Sequence, residues 1–576
     1  MLVRIGLLTE GGYPYVSGDA RLWCDRLVRG LGGHEFDIYA LSRSERQEDE
    51  GWIELPPQVS RVRTAPLWTA EDDGVGYGRR TRRRFAECYG ELAAALCAGP
   101  DAGNASDGPD ASTTEADRFG NALYGLAELA RDEGGLVGAL RSEAAVRALE
   151  RACRAPGALG AAREARVPDL LTVAAHLERA LRPLSLDWYE DDGLGSVDLC
   201  HAAAGGPAAL PGLLAHHFSD VPLLVTEYGV PLRAHYLASG ADDSAPAVRS
   251  LLAAFHGRLA SEIYRKAALV TPGNTHTRRW QERCGADREK LRTVYPGMDA
   301  SHFAEVGESP ETADPDTLIW VGRIEPAKDL ISLLHAFAEV RKEEPKTRLR
   351  IIGAATGAES EAYLGHCRAL AAQLFPDEAE GMHAVGDNPV SFEEIGGPEA
   401  PTLAEAYASG AVVVLSSVVE GFPISLVEAM FCARATVSTD VGAVVEIIGG
   451  TGLVVPPRNP RALAEACVAL LQDPARRERL GAAARARALE LFTVEQNIAA
   501  FHGIYLEVVS RSPVNRVVLD GTGEPLPFAV PAEAHVPGRW TQGGIGVVAR
   551  GGPSWATGRA SAPVQATPVP AGEGAR

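Results

Sequence analysis

Short apolar runs, each followed by a helical segment, constrain the fold of this chain more than any other feature of its sequence. The first series consists of Leu2–Thr9, Glu35–Ala40, Val197–Ala202, Leu223–Glu227, Leu269–Pro272 and Leu291–Tyr295. The second consists of Thr317–Gly322, Arg348–Gly353, Met382–Gly386, Ala411–Ser416, Ala435–Asp440 and Gly452–Pro456. Nearly continuous apolar strands are typical of parallel sheets that helices cover on both faces. The pattern therefore predicts an α/β fold of two doubly wound, Rossmann-like domains.

The two series also predict the domain boundaries. We expect a first domain over residues 1–300, with a helical insertion at about 79–185 where Ala, Leu, Arg and Glu recur at helical spacing. A second domain follows over 301–490, and a helix at 491–511 is expected to pack back on the first domain. Residues 512–576 are rich in Pro and Gly without periodicity, which predicts a disordered tail. Ligands of such domains bind at the carboxyl ends of the strands, here in the cleft between the domains.

Composition excludes several classes of function. With 56 Lys and Arg against 76 Asp and Glu, the net charge of −20 disfavours nonspecific attraction to nucleic acid or anionic lipid. The nine cysteines never form a C-x-x-C pair, which argues against a disulfide framework and a structural zinc site. Because no apolar stretch is long enough for a membrane span and the first residues lack the pattern of a signal peptide, we expect a cytoplasmic protein.

The densest group of candidate site residues follows the apolar run that ends at Ser416. Glu420 stands at the expected carboxyl end of a strand, and Gly421 allows a ligand to approach the backbone. Pro423 suits the first turn of a helix, whose amides can face a phosphate, and Glu428 lies further along that helix. Carboxylates accept hydrogen bonds from hydroxyl groups, so two of them beside an anion site favour a phosphorylated sugar as the ligand.

A second group directly follows the run that ends at Gly322. Arg323 and Lys328 place two cations at the edge of the second sheet, and Asp329 is expected to cap the next helix. Such cations can neutralise a diphosphate without a metal. Taken alone, the segment is equally compatible with two solvated loop cations.

Together these residues resemble glycosyltransferase family 4, whose GT-B fold consists of two Rossmann-like domains around a nucleotide-sugar cleft. The resemblance rests on GRIEPAKD (322–329), EGFPISLVEAM (420–430), TDVGAVVEII (439–448) and GLVVPP (452–457), in the order and spacing of that family. The segments LTEGGYPYVSGDARLW (8–23) and LLVTEYGVPLRAHYL (223–237) are similar to its PelF-like branch, which is associated with exopolysaccharide synthesis.

The resemblance implies roles for the matching residues. Arg323 and Lys328 would hold the donor pyrophosphate, Glu428 would bind the ribose hydroxyls, and Glu420 would contact the transferred sugar. Glu420, Arg323 and Lys328 are thus the candidate catalytic residues. The backbone near the donor would be contributed by Gly421, Phe422, Pro423, Ile424 and Ser425. A retaining transfer with no cofactor and no divalent metal is implied, because the cations and a helix N-terminus stabilise the departing diphosphate.

The first domain departs from the family at several positions. Asp19 follows Gly18 where relatives have a second glycine, and Tyr228 stands where relatives of the PelF type have histidine. His201, at the end of its strand, is a further candidate for the acceptor side of the cleft, although a buried or loop histidine is the more common case. Glu446 is expected to start a helix rather than to bind a ligand. Glu227 could equally be a buried carboxylate whose hydrogen bonds are satisfied within the domain.

These observations lead to three hypotheses. The first is a hexosyltransferase that moves a sugar from a nucleotide-diphosphate sugar, UDP-glucose by resemblance, to a glycan or small hydroxylated acceptor. The second is a catalytically degenerate nucleotide-sugar-binding subunit or regulator of a membrane-bound polysaccharide synthase. The third is a sugar-nucleotide epimerase of the same fold. None of the three involves nucleic acid.

Overall fold

A computed structural model describes most of the chain, and residues 1–510 belong to one compact unit. The residues described are 2–18, 21–70, 73–99, 110–239, 244–309, 313–376 and 388–512. Asp19, the run Met382–Gly386 and almost all of the expected tail lie outside them. Within these ranges, none of the helices combines the length and apolarity that a membrane span requires.

The first domain is built on a parallel sheet of six strands in the order β3-β2-β1-β4-β5-β6. Its strands are β1 (Arg4–Glu10), β2 (Glu35–Ser42), β3 (Val59–Pro66), β4 (Leu199–Ala202), β5 (Leu223–Glu227) and β6 (Leu269–Pro272). The central strand β1 is apolar on both faces because Leu8 belongs to one core and Leu7 to another. Five of the strands match predicted runs. Leu291–Tyr295 does not form a strand, and only Leu291 bridges to Val270.

The second domain repeats this architecture with the strand order β12-β11-β10-β7-β8-β9, again parallel. Its strands are β7 (Thr317–Val321), β8 (Arg348–Ile352), β9 (Val390–Glu393), β10 (Val412–Leu415), β11 (Ala435–Thr439) and β12 (Leu453–Val455). Buried strand residues pack with flanking helices in two cores, one on each face of the sheet. The predicted fold class, two doubly wound domains of the GT-B type, is confirmed.

Helices cover both faces of the first sheet. They are α1 (Arg21–Gly30), α2 (Glu45–Asp49), α3 (Arg79–Cys97), α4 (Asp110–Glu133), α5 (Leu136–Leu140), α6 (Glu143–Arg154), α7 (Gly160–Arg163), α8 (Val167–Leu181), α9 (Leu210–Ser219), α10 (Pro231–Ser239), α11 (Pro246–Lys266) and α12 (Thr275–Arg283). Helices α3 to α8 form the insertion. Its buried Phe85, Phe119 and Leu149 share one hydrophobic core with Leu213 and Leu223, so the insertion extends the domain that carries it.

The second domain has eight helices among its described residues. They are α13 (Ala304–Glu308), α14 (Leu330–Glu343), α15 (Ala358–Leu374), α16 (Leu403–Ala408), α17 (Ile424–Phe431), α18 (Val444–Ile448), α19 (Pro460–Leu471) and α20 (Pro474–Leu491). Asp329 caps α14, since its side chain accepts a hydrogen bond from the Ser332 amide at 3.2 Å, as the sequence predicted.

The last helix, α21 (Val494–Arg511), returns to the first domain. Its Phe501, Ile504 and Tyr505 are buried in the same core as Ile5 and Leu7 of β1. The chain therefore crosses between the domains twice, and the two crossings pair with each other: the Met298 amide donates to the Phe492 carbonyl at 2.9 Å, and the Val494 amide donates to the Met298 carbonyl at 3.1 Å.

Candidate active site

A cavity of about 1520 Å³ lies in the cleft between the domains, at the carboxyl ends of the strands. The first domain contributes Trp23, Tyr228 and Arg233 to its wall, and the second contributes Arg323 and Glu428. A second cavity of about 410 Å³ lies on the side of the second domain, and residues of both predicted groups line it: Arg323, Lys328, Glu420, Pro423 and Glu428. The two cavities lie side by side, because they share five wall residues: Arg323, Leu403, Phe422, Ile424 and Glu428.

The sequence-predicted Lys328 and Glu420 meet in this site. The Lys328 ammonium lies 2.6 Å from Oε1 of Glu420, and the Ser417 hydroxyl donates to the same oxygen at 2.7 Å. The Lys328 side chain is 16% exposed and that of Glu420 is 9% exposed. Such a shielded pair is held in place by hydrogen bonds, and removal of one partner leaves the other charge without compensation.

The sheet topology explains why residues 92 positions apart come together. Strands β7 and β10 are neighbours, so the loops that follow them leave the same edge of the sheet side by side. The Ser416 hydroxyl donates to the Lys328 carbonyl at 2.7 Å and joins the two loops directly. Gly353, in the loop after β8, allows that loop to lie directly against the loop after β7. A Cβ atom at this position would lie 1.8 Å from the Gly322 carbonyl oxygen.

Glu428 projects from α17 into both cavities. The Tyr407 hydroxyl donates to its Oε2 at 2.8 Å and also lies 3.0 Å from the Ser425 carbonyl oxygen. Burial raises the pKa of Glu428, and the hydrogen bond from Tyr407 opposes that shift. The sequence analysis did not single out Tyr407, because a tyrosine in a helical segment carries no motif. The hydrogen bond gives Glu428 a defined orientation toward the cleft.

The remaining predicted residues of the second domain lie at the smaller cavity or directly beside it. Arg323 is exposed and, within the described part of the chain, its side chain has no ion-pair partner. Gly421 has open space where a side chain would begin, so a ligand can approach its backbone. Phe422 and Pro423 line the smaller cavity just before α17, and the amides of Ile424 and Ser425 belong to the first turn of that helix.

Gly18 has a conformational role. Its φ is +129°, and a Cβ atom would lie 2.1 Å from the carbonyl oxygen of Gly11, so only glycine fits. Gly18 lines neither of the two cavities that form the candidate site.

The prediction that His201 faces the cleft is wrong. The side chain is fully buried within β4, where Nδ1 lies 2.7 Å from the Tyr505 hydroxyl of α21 and Nε2 lies 2.7 Å from the Thr226 hydroxyl. Burial lowers the pKa of His201 to about 3. A neutral imidazole with both nitrogens engaged inside the domain serves the packing of α21 on the sheet.

Tyr228 does line the cleft, as predicted. Its ring packs edge-on against the ring of Trp23, with centroids 5.3 Å apart, and the Trp23 indole donates to Oδ1 of Asn497 at 3.3 Å. Burial raises the pKa of Tyr228 above its usual value. The side chain therefore forms part of an aromatic wall and does not exchange a proton near neutral pH.

Arg233 is a cleft residue that sequence reasoning missed. It lies on α10 of the first domain, and its Nη2 donates across the cleft to the Glu420 carbonyl at 2.9 Å. Burial lowers the pKa of Arg233 while Glu420 opposes the shift. The available signal was its position, since Arg233 follows shortly after the carboxyl end of β5, where such folds bind ligands.

Glu446 connects the domains. It lies in the first turn of α18, as expected, and its Oε2 accepts hydrogen bonds from the Thr275 amide at 2.7 Å and the Thr275 hydroxyl at 2.6 Å. The Tyr295 hydroxyl donates to Oε1 at 2.8 Å.

Glu227, by contrast, is buried inside the first domain, where it accepts a hydrogen bond from Gln281 at 2.9 Å. Among the described residues, no three His, Cys, Asp or Glu side chains come together as a metal site.

Two families match successive parts of the chain. Residues 3–289 match a domain of unknown function, DUF3492, and residues 315–473 match the family described as glycosyl transferases group 1. The second match covers β7 to α19, which includes Arg323, Lys328, Glu420 and Glu428.

Two relatives illustrate the sequence similarity. A D-inositol 3-phosphate glycosyltransferase from Kineococcus radiotolerans is 34% identical over 221 residues, which are 35% of this chain and 49% of that protein. An alpha-maltose-1-phosphate synthase from Mycobacterium tuberculosis is 27% identical over 361 residues, which are 56% of this chain and 88% of that protein. The chain thus spans about half the length of the inositol phosphate glycosyltransferase.

Solved structures share the fold at low identity. HepE from Anabaena, in complex with UDP, has a TM-score of 0.50 and 14% identity, and the match covers 88% of this chain and 100% of HepE. Sucrose-phosphate synthase from Thermosynechococcus elongatus has a TM-score of 0.50 and 17% identity, with 88% and 99% covered. Residues 315–473 thus match the glycosyl transferases group 1 family and belong to the second half of a GT-B fold.

Proposed function

We propose that this chain is a retaining hexosyltransferase of glycosyltransferase family 4, in its PelF-like branch. It transfers a sugar from a nucleotide-diphosphate sugar, UDP-glucose in the first place, to a hydroxyl of a glycan or small acceptor in the cytoplasm. The observation that carries the proposal is the convergence of Arg323, Lys328, Glu420 and Glu428 on one cavity. Relatives named as glycosyltransferases and the UDP complex of HepE support it.

In this proposal the donor diphosphate lies beside Lys328 and Arg323. Lys328 supplies a point charge and Arg323 a planar fork, and the first turn of α17 directs its amides to the same place. Negative charge grows on the departing nucleoside diphosphate during transfer. Groups that are already oriented toward that charge lower the barrier, so the residues themselves supply what a metal or cofactor would otherwise provide.

The carboxylates bind the two sugars of the donor. Glu428, oriented by Tyr407, accepts hydrogen bonds from the ribose hydroxyls. Oε1 of Glu420 already binds Lys328 and Ser417. In this proposal its Oε2 therefore accepts a hydrogen bond from a hydroxyl of the transferred sugar. The geometry of Glu420 thus links the position of the sugar to the cation that neutralises the leaving group.

The acceptor enters from the side of the first domain. Because the raised pKa of Tyr228 prevents it from accepting a proton at neutral pH, the departing phosphate oxygen takes the proton of the acceptor hydroxyl as the new bond forms on the same face. This assignment accounts for retention of the anomeric configuration. The proposed product is a glycan of exopolysaccharide synthesis.

A second candidate function is a nucleotide-sugar-binding subunit of a membrane-bound polysaccharide synthase. The observation that favours it is the aromatic packing of Tyr228 against Trp23 at the place where PelF-type relatives have histidine. Such a protein would keep the donor site of the second domain and would transfer no sugar by itself.

A thermal-unfolding experiment tests both functions. The purified chain is heated with UDP, GDP, ADP and their glucose conjugates beside Glu428→Gln, with Glu465→Gln on α19 as an exposed control. A nucleotide at 100 times its dissociation constant adds about 2.7 kcal/mol to the free energy of unfolding. We expect a shift with UDP that disappears only in Glu428→Gln, followed by transfer to an added acceptor. A shift without any transfer supports the binding subunit, and no shift with any nucleotide contradicts both.

A further inference from the structure

We propose that α10 and α12 carry a binding track for an acidic glycan, which leads from the cleft over the surface of the first domain. The track is defined by three arginines, one histidine and two aromatic residues: Arg233, Tyr236, His276, Arg279, Trp280 and Arg283. This inference rests on the proposed function, because it assigns the acceptor of that transfer to the class of carboxylate-bearing, hexuronate-containing oligosaccharides.

Helical spacing brings these side chains onto one surface. Four residues of α12 share one face of the helix: His276, Arg279, Trp280 and Arg283. His276 lies three and four residues before Arg279 and Trp280, and Arg283 lies four and three residues after them, which is the spacing of neighbours on a helix surface. Tyr236 of α10 joins this face, since its ring centroid lies 6.3 Å from that of Trp280.

The track is basic in a strongly acidic chain. Arg279 and Arg283 are exposed and have no carboxylate partner in the described part of the molecule, whereas their neighbours Arg278 and Arg288 both pair with Glu282. Burial, followed by the charges of the track arginines, lowers the pKa of His276, which keeps this histidine neutral among them. The nearby Glu446 raises that pKa, and its carboxylate is engaged by Thr275 and Tyr295. Free positive charge is therefore concentrated on this surface.

Aromatic side chains alternate with the arginines. Tyr236 is 54% exposed, and the guanidinium of Arg283 lies 5.3 Å from the centroid of the half-buried Trp280 ring. A pyranose ring presents a face of C–H groups that packs on an exposed aromatic ring, and an arginine fork binds a carboxylate through two hydrogen bonds. A hexuronate residue has both a pyranose face and a carboxylate. A neutral glycan lacks the carboxylate, and a simple polyanion lacks the pyranose face.

The track begins at the reaction centre. Arg233 lines the cleft cavity and donates to the carbonyl of Glu420, the residue whose side chain pairs with Lys328. Tyr236 lies one turn further along α10. If the terminal hydroxyl of an oligosaccharide acceptor enters the cleft, the sugar units that precede it would therefore lie along α10 and α12.

The test measures equilibrium binding of tetragalacturonate, maltotetraose and tripolyphosphate to the full chain. The variants are Tyr236→Ala, Arg279→Gln and Arg283→Gln, with Arg461→Gln on α19 as a matched exposed control. We expect tetragalacturonate to bind most tightly. Its affinity should fall about threefold for each arginine variant, as exposed charge pairs do, and roughly tenfold for Tyr236→Ala. The control should bind as the parent does.

Three outcomes would overturn the track: equal binding of maltotetraose, tripolyphosphate binding that the track variants weaken as much as they weaken tetragalacturonate binding, or tetragalacturonate affinity that the variants leave unchanged. The UDP-induced thermal shift of each variant separates this inference from the proposed function. If the parent chain shows no shift with any nucleotide, the proposed function fails. If UDP shifts every track variant normally but the acidic glycan does not bind to the parent chain, only the track fails.

Discussion

The two domains use their polar residues in different ways. In the second domain, Lys328, Glu420 and Glu428 converge on one cavity, as the sequence predicted. In the first domain, Gly18 allows the backbone to pass close to the Gly11 carbonyl, and His201 forms a hydrogen bond from the sheet to Tyr505 of α21. The same sheet architecture therefore brings polar side chains together at a cavity in the second domain, whereas Gly18 and His201 of the first domain make structural contacts.

The difference lies in where each residue stands relative to the end of its strand. Lys328 and Glu420 follow β7 and β10 in loops, where side chains can turn toward the cleft. His201 is still within β4, and a strand covered on both faces directs its side chains into a core. Tyr228, the first residue after β5, does reach the cleft. Position beyond the strand end thus discriminates better than residue type.

The largest effect is expected at Lys328. Lys328→Ala removes the cation beside the departing diphosphate, so the kcat of transfer should fall roughly 100- to 1,000-fold. The matched control is Lys342→Ala, which removes an exposed lysine paired with Glu339 and should leave the rate unchanged. A thermal melt establishes that both variants are folded. A Lys328→Ala enzyme with more than a tenth of the parent rate would remove the contrast between the domains.

A large effect of a different kind is expected at Glu227, where burial raises the pKa to about 7 from 4.5. The protonated form is favoured in the folded state, so this contribution to stability is complete below pH 4.5 and is lost as the pH rises through about 7. The loss amounts to about 3 kcal/mol of unfolding free energy at alkaline pH.

Denaturant titrations at several pH values check this expectation. Glu227→Gln should lack that part of the pH dependence, while Glu465→Gln should retain it. Parallel pH profiles of the parent and Glu227→Gln would show that the carboxyl is solvated and would contradict this expectation.

His201→Ala should separate stability from catalysis. The substitution leaves the buried Tyr505 hydroxyl without its partner, while the Thr226 hydroxyl keeps its hydrogen bond to Thr271, so the free energy of unfolding should fall by about 2 kcal/mol. The kcat/KM per folded molecule should stay within a factor of two of the parent at 25 °C, roughly the precision of such a comparison. A selective loss of kcat with unchanged stability would instead place this histidine in the reaction.

The smallest effect is expected at Tyr407. Tyr407→Phe removes the hydrogen bond that orients Glu428, and a lost bond of about 1 kcal/mol corresponds to a roughly fivefold weaker Kd for UDP. Since that bond opposes the upward shift of the Glu428 pKa, its loss should raise the pKa further. UDP binding should then decline at a higher pH on acidification than in the parent. Identical pH profiles would show that Glu428 does not bind the nucleotide through its charged form.

The sequence was sufficient for the fold class and for the convergence of Lys328, Glu420 and Glu428, because both depend on local patterns. A doubly wound sheet places the loops after adjacent strands at one edge, so the motifs around Lys328 and Glu420 had to be neighbours once the strands were assigned. No comparable rule applied to Asp19, which lies outside the described residues.

The features that the sequence did not reveal depend on nonlocal packing. The edge strand Val59–Pro66 was missed because it is only half buried and carries Arg61 and Arg63, so it lacks the apolar run of a central strand. The helix predicted at 491–511 begins only at Val494, because Phe492 and Thr493 pair with Met298 where the chain returns to the first domain. Arg233 acquires its role only when the second domain lies opposite it.

The return of α21 to the first domain has a consequence for synthesis on the ribosome. The core around Ile5 and Leu7 includes Phe501 and Tyr505, which are translated after the entire second domain. The half of the protein that emerges first is thus completed last, with one face of its sheet awaiting a helix from the far end of the described chain. Folding of the first domain to its final state is coupled to completion of the second.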